Sequence, residues 1–477
     1  MTAGLGSKLV AGGVSLFSVR IASAVVALAG NVALARLLGA EAFGLYAVVT
    51  YVLGIVTLCT DFGMHNCLIR WPGEIGRDVT DTMLTLRVGL LAGFAVLLLL
   101  FVGPLASAWY ESPDLYFLMT IALAGTSLGG VFRMSQSLLE RDMEYSKVAL
   151  IEFVAGVGFY VPAVTMAYLG FGVYALAGGE VCRGLAGALA FAVRPFKLAL
   201  RVHRATAKAV IDFGVSYLAM MITWTLASGV NPIVVGKIAG LKAAGIIRIA
   251  EALAGHLTLL KGIADRLSYS ALARYQTDLP KLVDAVRRGR LWQYIVGVLP
   301  LFAFTAVGYW MVPAIFGSQW RDVANVLPLL CLGSAVNCLF ALYSPALITM
   351  GRNWEVEKFH AVYAVSLWAA APVCVYFLGY LGGPLAGVLV TPTYLVLHRA
   401  FAARFGRSDV RDAAMLFIAS WAITALAWSL GDVVVSGAVF AAGHLCVFAL
   451  NRDLRLGAGR LLVLARGTST AADGVTG

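Results

Sequence analysis

About fourteen apolar runs follow one another along this chain of 477 residues, each near the twenty residues a helix needs to cross about 30 Å of hydrocarbon, and nearly every Lys and Arg falls in every second gap between them. This pattern predicts an all-α polytopic membrane protein with a fixed orientation. The runs cover residues 13–35, 43–60, 88–108, 115–132, 148–169, 173–193, 213–235, 243–260, 291–315, 326–350, 361–381, 384–401, 413–430 and 433–450. With the amino terminus inside, the inner gaps and tails hold about 29 of the 36 basic residues and the outer gaps about 4 (Arg36, Lys237, Lys242 and Arg321), while Arg20, Arg183 and Arg248 lie within runs. The reverse orientation inverts this bias, so both termini are expected in the cytoplasm.

The formal charge of +11 therefore has a topological origin. Nucleic-acid binding would need a compact basic face on a soluble domain, and no gap is long enough to form one. Seven cysteines, mostly inside apolar runs and without short paired spacing, read as small buried hydrophobes and not as disulfides or metal ligands. Lys8 ahead of the first run imitates a secretory signal, but that run has the length of a span and another follows at once, so a retained first helix is expected. The chain has no G-x-x-x-x-G-K-S/T loop and no paired-cysteine zinc pattern. No cofactor is called for, and nothing points to an enzyme.

The longest gaps, Asp61–Arg87, Arg194–Asp212 and Lys261–Arg290, all fall on the inner side, and the outer gaps run from a few residues to about a dozen. A glycosyltransferase or polymerase working on the outer face would display catalytic carboxylates on a sizeable outer loop, which this pattern lacks. Gly39, Ala42 and Gly44, between the first two runs, recur as Gly240, Ala243 and Gly245 between the seventh and eighth, an offset of about 201 residues. With the basic gap Arg194–Lys208 midway, the repeat predicts two six-helix lobes, 1–193 and 213–405, joined by a cytoplasmic linker at 194–212. Helices thirteen and fourteen (406–450) form an appended pair, followed by a cytoplasmic tail at 451–477.

The stretch Arg36-Leu37-Leu38-Gly39-Ala40-Glu41-Ala42-Phe43-Gly44-Leu45-Tyr46, then Asp61-Phe62-Gly63 and Leu68-Ile69-Arg70, resembles the amino-terminal signature of the polysaccharide-transporter (Wzx-like) flippases of the multidrug/oligosaccharidyl-lipid/polysaccharide exporter superfamily. Leu138-Leu139-Glu140-Arg141-Asp142-Met143 and Phe316-Gly317-Ser318-Gln319-Trp320 extend the resemblance, which spans roughly residues 10 to 400. It implies two six-helix bundles around a central cavity and, as substrate, an oligosaccharide on an undecaprenyl pyrophosphate carrier in a bacterial inner membrane. A polysaccharide polymerase and a chain-length regulator are the protein partners such a role implies.

Ionisable groups inside spans cost roughly 2.5–3.5 kcal/mol each on insertion scales, so those that persist usually face a wet cavity or a partner. Arg20 lies midway along the first run beside Ser15, Ser18, Ser23 and Asn31. It reads as a cavity cation offering a guanidinium fork to a pyrophosphate, or as a snorkelling side chain near the inner interface. Arg248 and Glu251 are three apart on the eighth run and could neutralise one another; alternatively Arg248 is a cavity cation and Glu251, with His256, a proton-coupling site. Glu180 and Arg183 repeat that spacing on the sixth run, where Gly178, Gly179 and Gly184 favour tight helix packing as the plainer explanation. Asn231-Pro232 interrupts the seventh run, either exposing carbonyls to substrate or making a kink that neighbouring helices stabilise. Lys237 and Lys242 are placed to receive a pyrophosphate as it leaves, or are ordinary exceptions to the charge bias. Basic inner gaps attract anionic lipid headgroups, and Trp and Tyr at span ends read as interface anchors.

These readings converge on a flippase that moves a lipid-linked oligosaccharide outward by alternating access, with a drug or cation antiporter of the same superfamily as the alternative. A membrane glycosyltransferase or polymerase fits less well.

Overall fold

The computed structural model describes residues 3–258, 278–405 and 410–450, with residues 261, 272 and 275 between them; for residues 3–18, Arg20, Met220, Asp412 and Leu450 the description stops at the backbone. The expected tail at 451–477 lies outside the described residues. Among the described residues every regular element is a helix, and each of the fourteen expected runs coincides with one or more of them. Eight helices are long and apolar enough to cross a membrane, or nine if the bent pair Arg204–Ala219 and Met221–Ile238 is one span; Ile21–Leu37, Ala413–Ser429 and Val433–Ala449 are shorter apolar helices. One of the eight, Asn353–Phe405, is 53 residues long and takes in two of the expected runs. The protein is a multi-span helical membrane protein. Apolar side chains such as Leu100 and Phe101, each 64% exposed, point outward as lipid-facing residues do.

The chain divides into two compact units, Met1–Ile249 with Leu367–Gly383, and Ala250–Ser366 with Pro384–Gly477. The first is built on α1 (Ala3–Leu37), α2 (Ala40–Asp61), the short α3 (Met64–Ile69), α4 (Arg77–Leu97), α5 (Gly103–Tyr110), α6 (Asp114–Arg141), α7 (Tyr145–Tyr168), α8 (Tyr174–Gly187), α9 (Leu189–Val193), α10 (Arg204–Ser228), α11 (Gly236–Ile238) and the first half of α12 (Leu241–Leu257). Its core includes two larger clusters. One gathers Leu45, Val49, Leu98, Leu118 and Met119, and the other Met64, Leu68, Met83, Leu84 and Met134. The second unit includes α13 (Leu279–Trp292) and the helices after it apart from Leu367–Gly383, around an aromatic core of Tyr294, Phe302, Tyr343 and Phe401. Ahead of α13, hydrogen bonds from the Lys281 side chain and backbone N–H hold the Asp278 carboxyl below the ordinary carboxylate range.

Proline shapes the long spans. A proline has no N–H and its ring crowds the carbonyl four residues back, so the helix must widen or bend. Wide π turns occur at Leu98–Val102 ahead of Pro104, at Asn231–Val235 around Pro232, and at Gln293–Val298 ahead of Pro300.

The expected inner gap Asp61–Arg87 is mostly helical, because two charges that read as span ends neutralise each other inside the fold. Arg87, 5% exposed, pairs with Asp61 and donates from Nη1 to the Gly130 carbonyl at 3.0 Å. Phe62 and Gly63, at φ 47° and 69°, turn the chain between α2 and α3.

The repeated turns meet within the first unit. A Cβ on Gly44 would lie 1.9 Å from the Leu241 carbonyl oxygen, and one on Gly245 would lie 1.8 Å from that of Ala40. The offset that carries Gly44 to Gly245 also carries Ala40 to Leu241, so the two contacts are equivalents of each other. The recurring glycines mark a reciprocal crossing of the first turns of α2 and α12.

Candidate functional site

The site is assembled on α1, α2, α7, α8 and α12 of the first unit, and glycines set its spacing. A Cβ on Gly184 would sit 2.1 Å from the Gly125 carbonyl oxygen, and one on Gly125 would sit 2.2 Å from that of Glu180. Helices α6 and α8 thus touch backbone to backbone. Gly179 packs against Phe159, and Gly158 lies under the Cys182 carbonyl and Ala186, which brings α7 equally close. This packing fixes the rotation of α8 and turns Glu180, only 9% exposed, toward α2. Gly125-Thr126-Ser127-Leu128-Gly129 fits the spacing of a serine nucleophile elbow, but it lies wholly inside α6, without the strand-to-helix turn an elbow requires.

Glu180 Oε1 accepts hydrogen bonds from the Tyr46 hydroxyl and, at 3.1 Å, from Arg183 Nη1. The Arg183 guanidinium lies over the Phe159 ring at 4.3 Å. Phe159 stacks with Tyr46 at 6.2 Å and meets Tyr160 edge-on at 4.9 Å. The Asn31 side chain hydrogen-bonds Tyr160, whose ring fills the space beside Gly30. Both Arg183 and Arg248 act electrostatically on Tyr46 and Tyr160. Asn31, Glu180 and Arg248, three of the residues marked from the sequence, therefore come together with Tyr46, Phe159, Tyr160 and Arg183. The cluster holds two guanidiniums and one carboxylate in an aromatic surround, so its net charge favours an anion.

The tyrosines escape the sequence reading because aromatic residues are read as interface anchors. The signal that marks them is the place of Tyr46 inside the amino-terminal signature and that of Tyr160 in mid-span, two residues before Pro162. The plainer explanation of Glu180 and Arg183, tight packing at glycines, holds as well; the packing is what presents the pair.

Other marked residues lie elsewhere. The side chain of Arg20 lies outside the described residues, and its backbone is in α1. Asn231 packs its side-chain oxygen against Gly383. The π turn at Pro232 is braced by protein: the Tyr110 hydroxyl donates to the Pro232 carbonyl at 3.0 Å, and Trp368 Nε1 donates to the Leu226 carbonyl at 3.0 Å. Lys237 donates to the Trp109 carbonyl at 2.6 Å, lies over that indole ring at 5.4 Å and is 3.5 Å from Glu111. Lys242 and Glu251 are exposed, and His256 is half-buried further along α12.

Two of the signature motifs, Leu68-Ile69-Arg70 and Leu138-Leu139-Glu140-Arg141-Asp142-Met143, meet where α3 and α6 end. Arg141 Nη1 donates to the carbonyls of Leu68, Ile69 and Trp71 at 3.0, 3.3 and 2.7 Å, and Nη2 donates to that of Gly73. His65 lies 2.7 Å from Ser137 Oγ and 3.4 Å from Glu140, while Asp142 pairs with Arg194 at 3.1 Å. One arginine thus satisfies carbonyls that the end of α3 and the turn after it would otherwise leave open.

Helical spans with a polar cluster among them define a multi-span membrane fold, and solved structures share it. The chain superposes on a lipid II flippase, MurJ, in an inward closed conformation with a TM-score of 0.67 at 10% identity, covering 91% of this chain and 98% of that one. It superposes on an inward-facing multidrug resistance MATE family transporter of the MOP superfamily with a TM-score of 0.65 at 15% identity, covering 82% and 98%. A model of the polysaccharide biosynthesis protein family matches residues 33–325, and the chain belongs to that family. It is 27% identical over 377 residues to the lipopolysaccharide biosynthesis protein WzxC of Escherichia coli (strain K12), covering 76% of this chain and 73% of that protein. It is 26% identical over 336 residues to the succinoglycan biosynthesis transport protein ExoT of Rhizobium meliloti (strain 1021), covering 67% and 65%.

Proposed function

We propose that this protein is a flippase that moves an oligosaccharide carried on undecaprenyl pyrophosphate from the inner to the outer face of a bacterial plasma membrane. The observation that carries this reading is the cluster of Arg183, Arg248, Glu180 and Asn31 between spans of a chain whose family builds polysaccharides. A sugar chain with a diphosphate cannot enter hydrocarbon unaided, and a cluster with more guanidinium than carboxylate meets that need. The prenyl tail stays in lipid between helices. The lobes 1–193 and 213–405 rock about the site, both termini are cytoplasmic, and Lys237 and Lys242 lie on the exit side. An inside-negative potential favours outward movement of the anion by about 2.3 kcal/mol per charge per 100 mV. Glu180, Glu251 and His256 are the groups open to an additional coupling proton. A polymerase and a chain-length regulator are the partners that would consume the product.

Export of a cationic drug is the second reading. It asks for a carboxylate facing the cargo, whereas Glu180 is already held by a guanidinium and a phenol.

The test is reconstitution of the full chain into vesicles bearing a labelled undecaprenyl pyrophosphate oligosaccharide. The label should become accessible on the opposite leaflet only in protein-containing vesicles, and faster with an inside-negative potential. Equal rates in empty vesicles, or transport of a cationic dye in place of the lipid, would end the proposal.

A further inference from the structure

We infer that Glu180 is a built-in counter-anion that occupies Arg183 in the empty site and must be displaced when a diphosphate enters, so that it tunes how readily the substrate leaves. This inference rests on the reading of the cluster as a diphosphate site and assigns a role within it.

Three observations carry it. First, Arg183 is held in two independent ways. The Phe159 ring lies beneath its Cζ at 4.3 Å, and Glu180 engages one edge donor, Nη1. A guanidinium has five N–H donors in a plane, so a ring beneath it orients the fork without consuming the edge that binds oxyanions. Arg183 therefore keeps its aim when Glu180 lets go.

Second, the pair is asymmetric in exposure. The Arg183 side chain is 43% exposed and that of Glu180 only 11%. An arriving anion meets the guanidinium first, with the carboxylate behind it.

Third, Glu180 has a second holder. Its Oε1 also accepts from the Tyr46 hydroxyl, and Tyr46 is buried between Glu180 and Phe159. When an oxyanion takes Arg183, the carboxylate keeps the hydrogen bond from the Tyr46 hydroxyl. Displacement leaves no bare charge behind.

Transport needs binding that is favourable enough to admit the cargo and weak enough to release it. Two guanidiniums in a low-dielectric setting would hold a diphosphate tightly, because Coulomb attraction grows as water is excluded. A carboxylate that competes for one of them lowers the affinity and returns to its place as the substrate departs. Glu180 is a positioning residue in this sense. It acts on the substrate through Arg183.

The experiment titrates the purified full chain in lipid nanodiscs with farnesyl diphosphate, a short prenyl diphosphate, and follows with rates in the vesicle assay. Arg183→Ala tests the site itself; unchanged binding of the probe would remove the diphosphate reading and this inference with it. With Arg183→Ala weakened, Glu180→Gln decides the inference. It should tighten binding about tenfold, the size of one charge-assisted hydrogen bond no longer lost, and lower KM and turnover together. Binding that is unchanged or weaker in Glu180→Gln would overturn the role while leaving the site intact. If that variant does not fold, Tyr46→Phe settles the point: without the phenol the carboxylate relies on Arg183 alone, so probe binding should weaken severalfold, and unchanged binding would overturn the inference.

Discussion

Two of the carboxylate–guanidinium pairs within the first unit differ in their surroundings, and the difference separates their roles. In the pair of Asp61 and Arg87, both side chains are enclosed, at 14% and 6% exposure, and Arg87 also donates to a backbone carbonyl. In the pair of Glu180 and Arg183, the carboxylate is enclosed while the guanidinium is 43% exposed and rests on an aromatic face. The same two functional groups thus give a closed fastening in one place and an open one in the other. A charge enclosed together with its partner holds helices together; a charge with an oriented, unspent edge can meet a ligand.

The sharpest way to break this contrast is to remove one member of the closed pair. Arg87→Ala leaves Asp61 buried without its partner and should cost about 3–5 kcal/mol, seen as loss of folded protein in thermal melts of the detergent-solubilised chain. The double variant Asp61→Ala with Arg87→Ala removes both charges and should recover much of that loss. Recovery is the signature of a fastening whose worth lies in mutual neutralisation.

A smaller effect is expected where the packing that presents the open pair is disturbed. Gly184→Ala puts a methyl group 2.1 Å from the Gly125 carbonyl oxygen, so α6 and α8 must separate. The expected cost is about 1–3 kcal/mol, with transport reduced more than stability because Glu180 sits one turn away. Gly187→Ala is the control. Its methyl group would lie 4.0 Å from Gly129 Cα, an ordinary contact, and the helix gains from losing a glycine. A transport defect in Gly187→Ala equal to that in Gly184→Ala would show that helix spacing does not set the pair.

The spans were legible in the sequence because hydrophobic length and alternating charge each report on the bilayer directly. The contents of the gaps were less so. Asp61 and Arg87 read as span ends, since a single charge in an apolar run carries no sign of its partner 26 positions away. The glycines were legible as a repeat, read from the recurrence of Gly44 as Gly245 as a sign of two lobes; that the two turns touch each other by reciprocal backbone contact was not. Of the candidate site, Asn31, Glu180 and Arg248 stood out because a polar group in hydrocarbon is costly. Tyr46, Phe159 and Tyr160 did not, since an aromatic side chain is at home in lipid, at an interface and beside a cation alike. Only the meeting of α1, α2, α7 and α8 distinguishes these uses.

The smallest expected stability effect completes the contrast. Arg183→Ala removes a half-exposed guanidinium, and the Tyr46 hydroxyl remains on Glu180, so the loss should be about 1 kcal/mol or less. Transport of the lipid-linked sugar should nevertheless fall below detection, because the fork aimed at the diphosphate is gone. Arg183→Lys keeps the charge but not the planar donors or the close stacking on Phe159, and partial transport is expected. Melting curves and vesicle rates measured on the same preparations check both statements. If Arg183→Ala lost stability as Arg87→Ala does, the two pairs would be fastenings of one kind, and exposure would no longer tell a functional charge from a structural one.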